Sequence, residues 1–209
     1  EKENGYFPIQ KKTLLDDGIS ASALATLKKK GILSVERFQI DRIRLDQGKN
    51  LTFKKLTEAQ SKALRQVEDA MLKHKVTLLH GVTGSGKTEL YVQLIQDQLD
   101  QGKQVLFLLP EIALTTQLIQ RLSAYFGEKI GVYHSKFNQN ERVEIWNKVL
   151  QDDAHEFRII LGARSSVFLP FQNLGLIIVD EEHEGSFKQY DPSPRYNGRD
   201  AAIVLGRMH

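Results

Sequence analysis

The amino-acid sequence predicts an α/β fold with a mostly parallel sheet, and three observations carry that prediction. First, five short apolar runs, Val76–Leu79, Val105–Leu109, Ile130–Tyr133, Phe157–Leu161 and Leu176–Val179, are separated by stretches of helical periodicity. Runs this short and continuous suit strands buried on both faces, with the intervening helices as cover. Second, a glycine-rich octet follows the first run and opens a helix. Third, the sequence Asp-Glu-Glu-His stands at the end of the last run. Crossovers between parallel strands are right-handed, and ligands sit at the carboxyl ends of the strands.

The elements follow in chain order. Residues 13–55 read as two short helices and a ribbon, compatible with the second half of a winged helix-turn-helix, as are many small α+β pieces. Residues 1–55 are expected to be the C-terminal part of a winged-helix DNA-binding domain. Ser20 to Lys30 opens on a capping serine and closes on three lysines and Gly31, placing cations where the helix dipole favours them. Ile32 to Ile43 alternates in its later part and predicts a half-buried strand. From residue 56 to 209 the pattern is that of a single α/β lobe. Thr57 to Leu72 predicts a helix, with Thr57 and Gln60 at the spacing of a capping box. Further helical patterns carry Leu90, Leu94 and Leu99, then Leu114, Leu118 and Leu122, then Val143, Trp146 and Val149. Trp146 is assigned to the core.

Composition narrows the function classes. The 209 residues are 41% apolar and 26% charged, as in a soluble globular protein, and the length allows one ordinary domain or one domain plus a small appendage. No apolar run approaches the roughly 20 residues of a membrane-spanning helix. The N-terminal EKENGYFPIQKK lacks the apolar segment of a secretory signal. The absence of cysteine excludes disulfides and thiolate-bound zinc within these residues, and fits a cytoplasmic location. The net charge of +3 is uneven: residues 1–56 hold 12 Lys and Arg against 7 Asp and Glu (+5), residues 57–209 hold 17 against 19 (−2). The basic piece is either a nucleic-acid contact or an ordinary solvated surface.

The octet Gly81–Thr88, GVTGSGKT, satisfies the phosphate-loop pattern G-x-x-x-x-G-K-[ST] in the strand-to-helix setting that pattern needs. Gly81, Gly84 and Gly86 allow a tight turn, and the backbone N–H groups of the loop, Thr83 and Ser85 included, converge on phosphate oxygens. The helix N-terminus adds its positive end. Lys87 is placed for the β- and γ-phosphates of ATP, and the Thr88 hydroxyl for magnesium. Asp180 lies 93 residues beyond Lys87, in the DEEH tetrad. Asp180 is the expected ligand on the magnesium side, and Glu181 the general base or water-orienting group. The alternative is a charged cap after a buried strand.

Four segments, GVTGSGKTEL, LLPEIALTTQ (Leu108–Gln117), GARSSVFLPF (Gly162–Phe171) and LIIVDEEHEGSFKQY (Leu176–Tyr190), resemble helicase superfamily 2. More narrowly, they resemble the PriA family of bacterial replication-restart helicases, from about residue 56 to the end. The resemblance implies a RecA-like motor lobe of an ATP-dependent DNA helicase. That enzyme moves 3′→5′ and remodels stalled forks or D-loops, with primosome proteins and single-stranded DNA-binding protein as partners. A cysteine-rich zinc region and a second lobe supplying an arginine finger are implied beyond residue 209, so this chain alone is expected to be inactive. It also implies that Gln60 reads the adenine edge, a role that competes with capping Thr57. Thr116 stands where the family more often has proline. His134, Ser135, Glu141 and Arg142 match the family pattern too.

On the DNA side, the resemblance makes Arg164 and Ser165 phosphate contacts, though Arg164 is equally placed for a structural ion pair. It makes His183 the link between nucleotide and DNA elements. In GSFKQYDPSPRYNGRD, the aromatics Phe187, Tyr190 and Tyr196 interleave with Lys188, Arg195 and Arg199, as a single-stranded DNA stacking platform requires. The alternative is a loop packed on its own lobe. A RecG-like remodeller shares the phosphate loop and acidic box. A winged-helix module with a nucleotide-sensing domain is a third reading, which strong DNA-stimulated ATP hydrolysis would exclude.

Overall fold

The computed structural model describes Leu14 and residues 19–33, 54–82, 84–110, 116–134 and 137–209. The backbone divides into two compact units, residues 1–40 and 41–209. In the first, helix α1 (Ala21–Lys29) begins where Ser20 Oγ accepts the Ala23 N–H, and Lys28 and Lys29 occupy its last turn. From residue 34 on, the strand expected over residues 32–43, and with it most of the winged-helix expectation, lies outside the described residues.

The second unit begins with helix α2 (Glu58–Lys73), whose capping box forms as the Thr57 and Gln60 spacing predicts. Helix α3 (Lys87–Asp100) follows, then strand β1 (Gln104–Leu108), helix α4 (Thr116–Phe126) and strand β2 (Ile130–Tyr133). Helix α5 (Gln139–Gln151), strand β3 (Ile159–Gly162), a helical turn (Arg164–Phe168), strand β4 (Leu174–Val179) and helix α6 (Gly198–Met208) complete it. The four strands are parallel, in the order β2-β3-β1-β4. In the middle of the sheet, Leu106 of β1 lies between Ile160 of β3 and Ile177 of β4.

Every residue of β1 and β3 is buried, because helices cover both faces. One core joins Ile95 of α3 and Leu122 of α4 to Phe107 and Leu161. The other joins Ile145 of α5 and Ala202 of α6 to Leu106 and Ile160. At the amino ends of the strands, buried polar groups tie the layers. Gln104, 1% exposed, donates to the Val149 carbonyl and accepts the Gln172 and Asn173 N–H groups. Buried Arg158 donates to the Asp152 carboxylate and the Gly102 carbonyl. This end is scaffold, and β1, β3 and β4 all point their carboxyl ends the other way.

Two expectations are corrected. The run Val76–Leu79 is not a strand: no strand pairs with it among the described residues, and Val76 and Leu78 are exposed. An apolar run becomes a strand only when a neighbour takes up its backbone hydrogen bonds. Trp146 is not core either. It is 45% exposed, on an outward stripe of α5 with Val143 and Leu150. No described helix is long and apolar enough to cross a membrane.

Candidate functional site

The glycine-rich octet makes the turn from the 74–82 segment into α3. Gly84 and Gly86 have φ of 79° and 85°, in the left-handed region that side chains disfavour. Gly86 is the N-cap of α3; no side chain caps that end, and the Glu89 N–H turns back to the Gly86 carbonyl at 3.0 Å. Lys87 folds back along the octet, its Nζ donating to the Gly81 carbonyl at 2.8 Å. Thr88 stands in the first turn of α3. Thr83 lies outside the described residues, as do residues 111–115 and Ser135.

Gln60 is brought against the octet from α2. Its Oε1 accepts from the Thr57 N–H at 2.9 Å and the Thr57 hydroxyl at 3.1 Å. Its amide nitrogen lies over Gly86, where a Cβ would meet it at 2.3 Å. The capping role therefore occupies the oxygen and leaves the nitrogen turned toward the octet.

The acidic tetrad follows β4 and is tied to α3. The Asp180 N–H donates to the Leu108 carbonyl, which carries the chain off β4 beside β1. The Tyr91 hydroxyl donates to Asp180 Oδ1 at 3.1 Å. Tyr91 is three residues after Thr88 on α3, hence on the same helix face. Burial, and next the Asp180 carboxylate, raise the Tyr91 phenol above its usual range. Glu181 has φ 49°, an uncommon conformation for a non-glycine residue that recurs at functional turns. Exposed His183 places Nε2 3.8 Å from Glu181 Oε2, and Glu182 accepts from Arg199 of α6 at 2.8 Å.

The DNA-side residues divide. Arg164 donates to the carbonyls of Ser186 and Lys188 at 3.0 and 3.1 Å, so it binds the 164–168 turn to the loop that follows the tetrad. Ser165, on that turn, is half-buried. Lys188, Tyr190 and Arg195 are exposed, with Lys188 Nζ 5.1 Å from the Tyr190 ring centroid. Tyr196 is half-buried against Phe168, ring to ring at 5.0 Å. Phe187 corrects the expectation. At 1% exposure it belongs to the core beneath α6, and a base cannot reach its ring.

Residue motifs alone did not bring out Tyr91, Glu89 and Phe168. Glu89, next to Thr88, is a buried carboxylate that accepts from Arg121 at 2.5 Å and the Tyr125 hydroxyl at 3.1 Å. The signal available for Tyr91 was its spacing from Thr88. Phe168 was hidden in the apolar text SVFLPF.

A glycine-rich turn opening a helix and an acidic tetrad at the end of a parallel strand, tied by the Tyr91–Asp180 hydrogen bond, give the lobe the layout of a RecA-like α/β domain. The DEAD/DEAH box helicase family matches residues 57–198, and the chain belongs to that family. Within it, the chain is 41% identical over 197 residues to the replication restart protein PriA of Bacillus subtilis, covering 91% of this chain and 24% of that protein. It is 45% identical over 186 residues to PriA of Synechocystis, covering 88% and 22%. Against PriA of Chlamydia muridarum the values are 39% over 198 residues, 91% and 25%. The chain spans about a quarter of the length of these relatives.

Proposed function

We propose that the chain is the ATP-binding lobe of a PriA-type replication-restart helicase, the part at which nucleotide and DNA are sensed together. The observation that carries this is the Tyr91–Asp180 hydrogen bond, which ties the tetrad to the octet's helix one turn beyond Thr88. On this reading the octet from Gly81 to Thr88 wraps the phosphates of ATP, and Lys87 exchanges the Gly81 carbonyl for phosphate oxygens. The Thr88 hydroxyl and the Asp180 carboxylate hold magnesium, which when bound neutralises phosphate charge. Their chemistry fits that ion: hard oxygen donors, few in number, on adjoining elements. Glu181 orients the attacking water. The Gln60 amide nitrogen is available to the adenine edge.

On the DNA side, Ser165, Lys188, Arg195 and the rings of Tyr190 and Tyr196 contact a single strand, while Arg164 holds their loop to the lobe. His183 and Glu182 carry changes in the tetrad toward that loop, Glu182 through Arg199. The longer protein would be cytoplasmic. It would use a second lobe for hydrolysis, bind zinc outside residues 1–209, and work 3′→5′ on forks and D-loops with primosome proteins and single-stranded DNA-binding protein.

The test is binding of a fluorescent ATP analogue with magnesium to this chain, beside steady-state ATP hydrolysis by the full-length protein on forked DNA. The expected result is nucleotide binding by the lobe, lost in Lys87→Ala, with negligible turnover. Removing an arginine finger lowers such rates by about 10³–10⁵. Forked DNA should stimulate the full-length protein strongly. Robust DNA-stimulated turnover by the lobe alone would overturn the dependence on a second lobe. A full-length protein that binds ATP and is not stimulated by DNA would be a sensor, not a motor.

A further inference from the structure

Phe168 ends the turn Arg164–Phe168 and is 58% exposed. A phenylalanine gains nothing by facing water, having no polar atom to hydrate. Its surroundings separate it from a stray surface ring. The Tyr196 ring meets it edge to face, centroids 5.0 Å apart and planes at 69°, so Phe168 is held from one side and open on the other.

Tyr196 stands in one limb of the loop whose other limb carries Lys188 and Tyr190. The limbs are fastened by the Gln189 N–H donating to the Tyr196 carbonyl at 2.8 Å and by the Lys188–Asn197 bridge. Arg164, at the start of the same turn as Phe168, grips the Lys188 carbonyl from the other direction. Exposed aromatic rings and exposed cations are thus fixed on one framework. Neither Lys188 nor Arg195 is in an ion pair among the described residues. Rings beside unneutralised cations fit a polymer that offers flat apolar faces and a repeating negative charge.

We propose that Phe168 is a base-stacking residue for single-stranded nucleic acid, supported from beneath by Tyr196. It takes the role that Phe187, sealed in the core, cannot fill. The inference deepens the DNA-binding role proposed above and rests on it. Lys188 and Arg195 take the backbone, and Phe168 takes a base.

Trp146 is the single tryptophan, so in the double variant Trp146→Phe/Phe168→Trp, excited selectively at tryptophan, the emission comes from position 168. The variant is titrated with an oligothymidylate and with an abasic phosphodiester of equal length. Quenching by the oligothymidylate and none by the abasic strand is the expected result. Phe168→Ala and Phe168→Leu should each weaken oligothymidylate binding by about tenfold, the loss of one stacked base, and leave abasic binding within about twofold. Oligothymidylate binding without quenching overturns the inference and leaves the DNA-binding reading standing. So does wild-type affinity in Phe168→Leu, which would mean simple apolar contact. Failure of the unmodified chain to bind either strand overturns both.

Discussion

The Tyr91 hydroxyl donates to Asp180 Oδ1 at 3.1 Å, joining the helix that opens at the glycine-rich octet to the end of the strand that carries the acidic tetrad. Because burial and the carboxylate raise the phenol above its usual range, it remains a donor through neutral and mildly alkaline pH. Tyr91→Phe keeps the ring, which meets Phe107 edge-on at 5.4 Å, and removes only the donor. It should lower stability by about 1.5–3 kcal/mol, as for a hydrogen bond to a charged group. If Asp180 holds magnesium, the variant should also raise the magnesium concentration for half-maximal nucleotide binding by about tenfold. Urea unfolding and a magnesium titration of nucleotide fluorescence separate the two effects. An unchanged magnesium midpoint in a destabilised variant would leave Tyr91 a structural residue only.

Gly86 and Gln60 are coupled by space. Alanine at 86 must adopt φ near 85° and would bring Cβ to 2.3 Å from Gln60 Nε2. The backbone cost is about 1 kcal/mol. Moving Gln60 also breaks the capping box, at about another 1 kcal/mol. Gln60→Ala alone should cost the second amount. The double variant then loses the box once rather than twice, so its cost should fall short of the sum of the single costs. Additive values in urea unfolding would show that Gln60 swings aside freely.

Glu89 follows Thr88 directly, where an uncompensated carboxylate would repel a phosphate. Arg121 and Tyr125 of α4 both donate to it, and Lys54 lies 3.9 Å away. The Arg121 side chain is 43% exposed, so this pair falls short of a fully desolvated one. Glu89→Ala should cost about 2 kcal/mol, partly by stranding the buried Tyr125 hydroxyl, and Glu89→Gln, which still accepts, about 1 kcal/mol. Equal losses in the two variants would mean that charge, not the acceptor, holds α3 to α4.

Local rules were legible where a few adjacent residues decide the outcome. Ser20 caps α1, Thr57 and Gln60 close their box, and strands β1 to β4 lie within two residues of their apolar runs. What failed depended on partners far along the chain. Val76–Leu79 is apolar enough for a strand and has no strand paired with it among the described residues. Interleaved aromatics and cations singled out residues 185–200 but could not sort their rings. The short turn Gly185–Phe187 faces Phe187 inward, while the turn Arg164–Phe168 buries Ser166 and Val167 and leaves Phe168 outside. Which way such a turn rotates is set by the sheet beneath it, and a list of residue types does not contain that.

That sorting has an experimental consequence for the aromatic loop. Phe187 is 1% exposed and shares a core with Leu106, Leu108 and Ala202. The Arg164 guanidinium holds the carbonyls on either side of it, at Ser186 and Lys188. Phe187→Ala should therefore cost about 3–5 kcal/mol through the cavity it leaves, whereas Tyr190→Ala, at a position 65% exposed, should change stability by less than about 0.5 kcal/mol. A DNA-binding loss in Phe187→Ala would then report a released loop rather than a missing stacking ring. Phe187→Leu, which keeps most of the volume, should recover most of the stability and the binding together. Thermal unfolding beside oligonucleotide anisotropy tests this directly. A Phe187→Ala protein with wild-type unfolding and no DNA binding would place the ring at the DNA after all.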